Sequence, residues 1–481
     1  MKISEYASYD AIGLASLIAR REVSIAEVTH AALEAYGLVN PSINAVVELY
    51  EDRLAQPETQ LGDGPFRGVP FLTKDTGPAF AGRTWESGSR LCRGGQTAKE
   101  DSYYGALVRA SGVNLIGRAS MPEFGWGYCP EYLLHGAPSN PWRHGFSTSG
   151  STAGGAAAVS AGITPMAQGG DGGGSIRGPA AWCGTVGLKP SRGRVSAGPD
   201  NADGSLHGMG QAFAMSKTMR DTAAMLDCLS VPQPGDPYVI RATERPYATY
   251  CDEHGKKLRI AFSAAPLMDA PVDPEISAAV STTARTLSDL GHYVEEAAPR
   301  IDLDAIDRAC IDIWCFQFDR SLDSLAVSMG RTVGPETLER ATLVYYEGAK
   351  SIDASQFFVA QAAFNRVRRE IGRFFMDYDI WLSPTTAQVA QPNFTTGMDI
   401  GSTPKELLDY EQPFYQFLIA YNVTGQPALS LPLAMHSNGL PIGLQLGARH
   451  GEEHLLIALG SQLEQAMPWA GRTPPCHATK V

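Results

Sequence analysis

One ten-residue stretch, GGDGGGSIRG at 169–178, limits what this chain can fold into more than any other. Six of its residues are glycine, and Ser175 follows three of them directly. Glycine inside an element costs about 0.5–1 kcal/mol relative to alanine, so a cluster this dense needs a reason. Three reasons are available: a flexible linker, a phosphate cradle, or a turn that aims backbone N–H groups at a reacting atom. Linkers stay polar, whereas this segment runs into IRGPAAWCGTVGLKP, with small, apolar and proline positions. A P-loop needs a lysine after its glycines, and none follows before Lys189. The G-x-G-x-x-G dinucleotide spacing is broken by Asp171, Ser175 or Arg177. The third reading is left.

That reading demands partners. A nucleophilic serine needs a base, and backbone donors for the oxyanion that develops on attack. The N–H groups of Gly172, Gly173, Gly174 and Ser175 are the candidate donors, because residues without side chains let the backbone approach closely. The G-x-S-x-G elbow is absent, since Gly173-Gly174-Ser175-Ile176-Arg177 ends in arginine. None of the ten histidines, His135, His144 and His207 included, sits in a triad context. Lys74 in PFLTKDTG is the other candidate base: it follows an apolar strand, and burial can keep its amine neutral. Its bland alternative is an ion pair with Asp75 at the strand end. Between the two lies STSGSTAGGAAA (147–158), which offers hydroxyls for a proton relay.

The rest of the chain reads as α/β. Asp10 is placed to cap a helix over DAIGLASLIARREV, and Ser24 with Glu27 forms a capping-box pattern before SIAEVTHAALEAYGLV. Asn40-Pro41 is expected to end that helical pair. Strands are expected at 68–75, 258–263 and 380–383, and 106–120 reads as helix, turn, strand. A small-residue helix is expected over 154–163 and an amphipathic one over 274–291. A hairpin is expected over 427–434 and 441–448 around HSNG. Interleaved helices and strands without repeats or linkers point to layers around one large sheet. The expected organisation is a single domain over 1–481, with a helical segment at 1–60, a catalytic core at 61–200 and pocket elements at 201–481.

The formal net charge of −12 offers nothing to nucleic acid or to an anionic membrane surface. Eight scattered cysteines without a C-x-x-C pair give neither metal spacing nor a disulfide framework, and are read as free thiols. MKISEYASYD lacks the apolar run of a secretory leader, and no stretch approaches a membrane span, so a cytoplasmic location is expected.

These residues resemble the amidase signature enzymes. GSTAGGAAAVSAG-x₆-GGDGGGSIRGPAAWCGTVGLKPSRGR (150–194) is similar to the family's signature region. GPFRGVPFLTKD (64–75), ASMPEFG (119–125), GAPSNPW (136–142), DIWLSPT (379–385), YNVTGQPALSLP (421–432) and GLPIGLQL (439–446) resemble its other blocks, in order. The resemblance implies a large mixed twisted sheet covered by helices on both faces. It implies a Ser–Ser–Lys triad in which Ser175 is the nucleophile, Ser151 the middle serine after a cis peptide bond, and Lys74 the base. It places the oxyanion hole on the amides of Gly172, Gly173, Gly174 and Ser175, with Asp171, Arg177 and Thr152 supporting the loops. No metal and no organic cofactor is implied. A small-molecule amide or carbamate is the expected partner, and the resemblance is compatible with a homodimer.

Three departures bear on the pocket. The usual G-G-S-S-G-G reads Ser149-Gly150-Ser151-Thr152-Ala153-Gly154, Phe146 replaces a common arginine, and Gly172 stands where a bulkier residue often follows the aspartate. The expected activity is hydrolysis of amide C–N bonds by a free-standing enzyme of the nylon-oligomer, arylamide or carbamate type. The aromatic stretches DIWCFQFDR (312–320) and PFYQF (413–417) favour a large apolar substrate. The alternative is the glutaminase subunit of a tRNA-dependent amidotransferase.

Overall fold

The computed structural model describes residues 1–128, 132–201, 205–395 and 401–480, with side chains 205 and 317–320 outside the description. Eleven strands form one mixed sheet: β1 (Val46–Leu49), β2 (Pro70–Lys74), β3 (Asn114–Ala119), β4 (Met166–Asp171), β5 (Val186–Lys189), β6 (Gln211–Ser216), β7 (Arg259–Phe262), β8 (Tyr293–Glu296), β9 (Ile380–Pro384), β10 (Ala428–Met435) and β11 (Pro441–Ala448). Their order across the sheet is β1-β3-β2-β4-β6-β5-β10-β11-β9-β7-β8. Two parallel groups lie within it: β3, β2 and β4 near one edge, and β9, β7 and β8 at the other. Antiparallel strands join them.

Every residue of β2, β3, β5 and β11 is buried. Successive side chains point to opposite faces of a strand, so complete burial requires cover on both faces. The small-residue helix Ala153–Ala161 packs on β4, and Glu453–Ala466 packs on β10 and β11. One apolar core runs from Tyr6 to Ala478. No helix among the described residues is long and apolar enough to cross a membrane.

Local signals act as their chemistry dictates. Asp10 caps Ala11–Ala19 by accepting from the Gly13 N–H, and both halves of the Ser24–Glu27 capping box are formed. The first helix is shorter than expected, because the chain turns at Arg21 with φ +59°. The second is longer: it passes through Pro41 and ends at Ile43. Proline there forfeits one backbone bond, whereas the Asn40 carboxamide gains three, accepting from the Ala45 and Val46 amides and donating to the Val46 carbonyl. Buried Val39 and Ile43 hold that last turn on the core. The seven described cysteines are free, and Cys129 lies outside the described residues.

Candidate active site

β2 carries Lys74 as its last residue. The strand is paired in parallel on both sides, so its last residue emerges at the carboxyl edge, where open α/β sheets build their sites. The Lys74 backbone N–H donates to Gln168 Oε1 (2.8 Å), which fixes β2 against β4. The side chain is 5% exposed, and its Nζ donates to Ser151 Oγ at 2.8 Å and to Thr152 Oγ1 at 3.3 Å. Burial lowers the amine to about 7, while the negative charge of Asp171 pulls the other way. The bland alternative for this lysine is excluded: the Asp75 carboxylate pairs with Arg118 and accepts from the Glu86 and Gly88 amides.

Ser151 stands just ahead of the Ala153–Ala161 helix, after a cis Gly150–Ser151 peptide bond. Position 150 has no room for a side chain, since a Cβ there would lie 2.0 Å from the Gly127 carbonyl oxygen. Ser175 comes from the other direction, after β4 and ahead of the Arg177–Cys183 helix. The two serine segments are tied by a bond from the Thr152 N–H to the Ser175 carbonyl (3.1 Å). Lys74, Ser151 and Ser175 line one cavity of about 580 Å³, and no described histidine lines it.

The loop between Asp171 and Ser175 is clamped from below. The buried Asp171 carboxylate accepts from the Gly174 N–H (2.8 Å), from Arg177 Nε and Nη2 (2.9 and 3.0 Å) and from Asn422 Nδ2 (2.8 Å). Burial alone would raise its pKa, but the charge and hydrogen bonds of Arg177 outweigh that and hold it well below the usual carboxylate range. Arg177, fully buried, also reaches Asn422, Gln445 and the Leu418 carbonyl.

The oxyanion set needs one correction. The Gly174 N–H is committed to Asp171 and is not open to the cavity. Its backbone has φ +117°, and a Cβ there would lie 2.4 Å from Leu418 Cδ1, so this glycine serves the turn. The N–H groups of Gly172, Gly173 and Ser175 have no acceptor among the described residues. Thr152 contributes more than loop support, since its hydroxyl lies within reach of the lysine amine.

Several residues of the site carried no motif. Tyr128 donates its phenolic O–H to the Gly173 carbonyl (2.9 Å), and its backbone N–H donates to Glu411 (3.0 Å). Asn422 and Gln445 lie in the blocks 421–432 and 439–446 without having been singled out, although Gln445 is the one polar side chain in its block, a pattern that calls for a buried partner. The aromatic stretches do reach the cavity, through Trp314 and Tyr415, beside Trp126. Asp75, Glu86 and His135 bring possible metal-ligand atoms within 4.8 Å of one another. The Arg118 guanidinium already binds both carboxylates, so a cation has no place there.

Comparison with known proteins agrees with this geometry. The amidase family model matches residues 27–457. The chain is 34% identical over 479 residues to the 6-aminohexanoate-cyclic-dimer hydrolase of Pseudomonas sp. (strain NK87), covering 97% of this chain and 96% of that protein. A solved structure of 6-aminohexanoate cyclic dimer hydrolase superimposes with a TM-score of 0.92 at 32% identity, covering 98% and 99% of the two chains. A bacterial aryl acylamidase structure does so with a TM-score of 0.85 at 26% identity, covering 96% and 99%. The chain belongs to the amidase signature family and is a hydrolase of non-peptide amide C–N bonds.

Proposed function

We propose that this enzyme cleaves amides of apolar acyl chains, of the nylon-oligomer type, through an ester on Ser175. The observation that carries the reading is the contact between a buried, near-neutral Lys74 amine and Ser151 Oγ at 2.8 Å, in the wall of the cavity that Ser175 also lines. The neutral amine accepts the Ser151 proton as Ser151 accepts that of Ser175, and Ser175 Oγ attacks the scissile carbonyl carbon. The oxyanion lies against the Gly172, Gly173 and Ser175 amides. As the C–N bond breaks, Ser151 gives a proton to the departing nitrogen and recovers one from the lysine ammonium. Water then attacks the ester along the same relay, releasing the acid and restoring Ser175.

The substrate class is supported by the apolar wall around Trp126 and Trp314 and by the likeness to the cyclic-dimer hydrolases. Carbamates present the same polarised carbonyl and are proposed as secondary substrates. The test is initial-rate hydrolysis of a cyclic amide dimer of 6-aminohexanoate, a p-nitroanilide, an aniline carbamate and glutamine by the wild type, Ser175→Ala and Lys74→Ala. Both variants are expected to lose roughly 10⁴-fold or more. Full activity in Ser175→Ala would overturn the nucleophile, and cleavage of glutamine alone would favour the amidotransferase subunit.

A further inference from the structure

Glu411 lies on the helix Pro404–Tyr415, in the wall of the same cavity as Lys74, Ser151 and Ser175. The same wall carries Trp126, Trp314, Leu408 and Ile419 alongside polar Ser321, and the Tyr345 phenol lies close enough to feel the Glu411 charge. Trp126 is itself fixed, stacked on Tyr345 at 4.1 Å and meeting Trp314 edge-on at 5.4 Å. One Glu411 oxygen accepts from the Tyr128 backbone N–H. The other has no donor among the described residues, and no lysine, arginine or histidine there pairs with it. The tyrosine on the same helix does not serve it, because Tyr415 donates its hydroxyl to Asp307 (2.9 Å).

A carboxyl with a free oxygen is an expensive occupant of an apolar wall. Burial pushes this one up to about 7, with the Tyr128 N–H opposing, so proton gain and loss are both within reach near neutral pH. The group is therefore poised to accept a hydrogen bond from whatever fills the cavity. A hydrocarbon chain lying along Trp126 and Trp314 leaves that oxygen without a partner. A chain carrying a second nitrogen supplies one. Sites built to bond a substrate N–H discriminate strongly against analogues that lack it, because their own polar groups are then left buried and unpaired.

We propose that Glu411 is a specificity-determining residue, accepting a hydrogen bond from a substrate N–H remote from the scissile carbonyl, so that the site selects amides whose apolar chain bears a second nitrogen. This rests on the function proposed above and adds to it the feature by which the cavity tells one apolar amide from another. Two sources fit that chemistry: a second amide, or an alkylammonium at the chain end.

Binding to the full-length Ser175→Ala protein separates this question from turnover. Three probes are titrated calorimetrically: the cyclic dimer of 6-aminohexanoate, 6-aminohexanamide and hexanamide. Adding Glu411→Leu is expected to weaken the first, the second or both by about 10-fold or more and hexanamide by less than about 2-fold. Loss confined to the cyclic dimer identifies the amide source, and loss confined to 6-aminohexanamide identifies the ammonium. Glu411→Gln leaves an acceptor for Tyr128 and replaces the free oxygen by an amino group, and it is expected to reproduce the pattern if the leucine variant does not fold. Equal weakening of all three probes would mean that Glu411 only holds Tyr128, and would overturn the proposal. So would unchanged binding, or a parent protein that binds neither nitrogen-bearing probe. Product formed by the Ser175→Ala parent would count against the nucleophile instead, and is recorded separately.

Discussion

Replacing Lys74 with methionine is expected to make the protein more stable at neutral pH while removing its activity. Folding carries the amine from 10.5 to about 7. At pH 7 the unfolded lysine is charged and the folded one only partly so, which costs the folded state about 4 kcal/mol. Because the folded pKa is the lower one, the unfolded chain binds more protons between about 7 and 10.5, and stability rises with pH across that window. Below about 7 the cost is present in full; above 10.5 it is gone. Methionine carries no such cost. It does remove the donor to Ser151 and Thr152, a loss of about 1–3 kcal/mol that does not depend on pH. The variant should therefore exceed the wild type by about 1–3 kcal/mol at pH 7 and lose about 3 kcal/mol of that difference by about pH 9.5. Urea unfolding of both proteins at the two pH values measures it. A stability difference that is the same at both would refute the reasoning, since it would mean that the folded amine titrates where a free lysine does.

The same titration is expected to govern turnover. The rate constant kcat/KM for a neutral amide should fall about tenfold per pH unit below about 7 and level off above it, and a profile flat into acid would remove Lys74 from the base role. Asp171→Asn should move that acid limb to lower pH, because the carboxylate's charge favours the lysine ammonium. It should also destabilise the protein by about 3–5 kcal/mol, because Arg177 is left buried without its counter-ion; urea unfolding reports the second effect independently of the first.

Where the sequence was readable, the determinants were local. The capping box at Ser24 and Glu27 and the hairpin around HSNG act through residues a few positions apart, and both form. Lys74, Ser151 and Ser175 stood out because their segments have compositions that make little sense otherwise, and all three line one cavity. Where the sequence misled, two local rules competed. At Pro41 the loss of one backbone bond was outweighed by three from the Asn40 side chain. At Gly174 an amide that composition marked as an oxyanion donor was claimed by Asp171, three residues upstream. Tyr128 and Glu411 were not readable at all. They meet across 283 positions, and the contact uses a backbone N–H, which any residue at 128 except proline would supply.

The charges around Lys74 are arranged so that the nearest carboxylates have other partners. Burial lowers the lysine, but a nearby carboxylate free to act as counter-ion would restore its charge and deny it the base role proposed above. Two carboxylates are within the same region of the fold: Asp75, the next residue, and Asp171, at the end of the adjacent strand. Each is bound to an arginine, Asp75 to Arg118 and Asp171 to Arg177. Each also accepts backbone N–H bonds, from Glu86 and Gly88 in one case and from Gly174 in the other. Among the described residues Lys74 is left with two hydroxyls and no ion pair. The arginines thus do for Lys74 what no contact of its own could: they occupy its natural partners. Of the two pairs, Asp171–Arg177 is the one whose charge reaches the amine, which is why a change at Asp171 is expected to be read first in the pH profile.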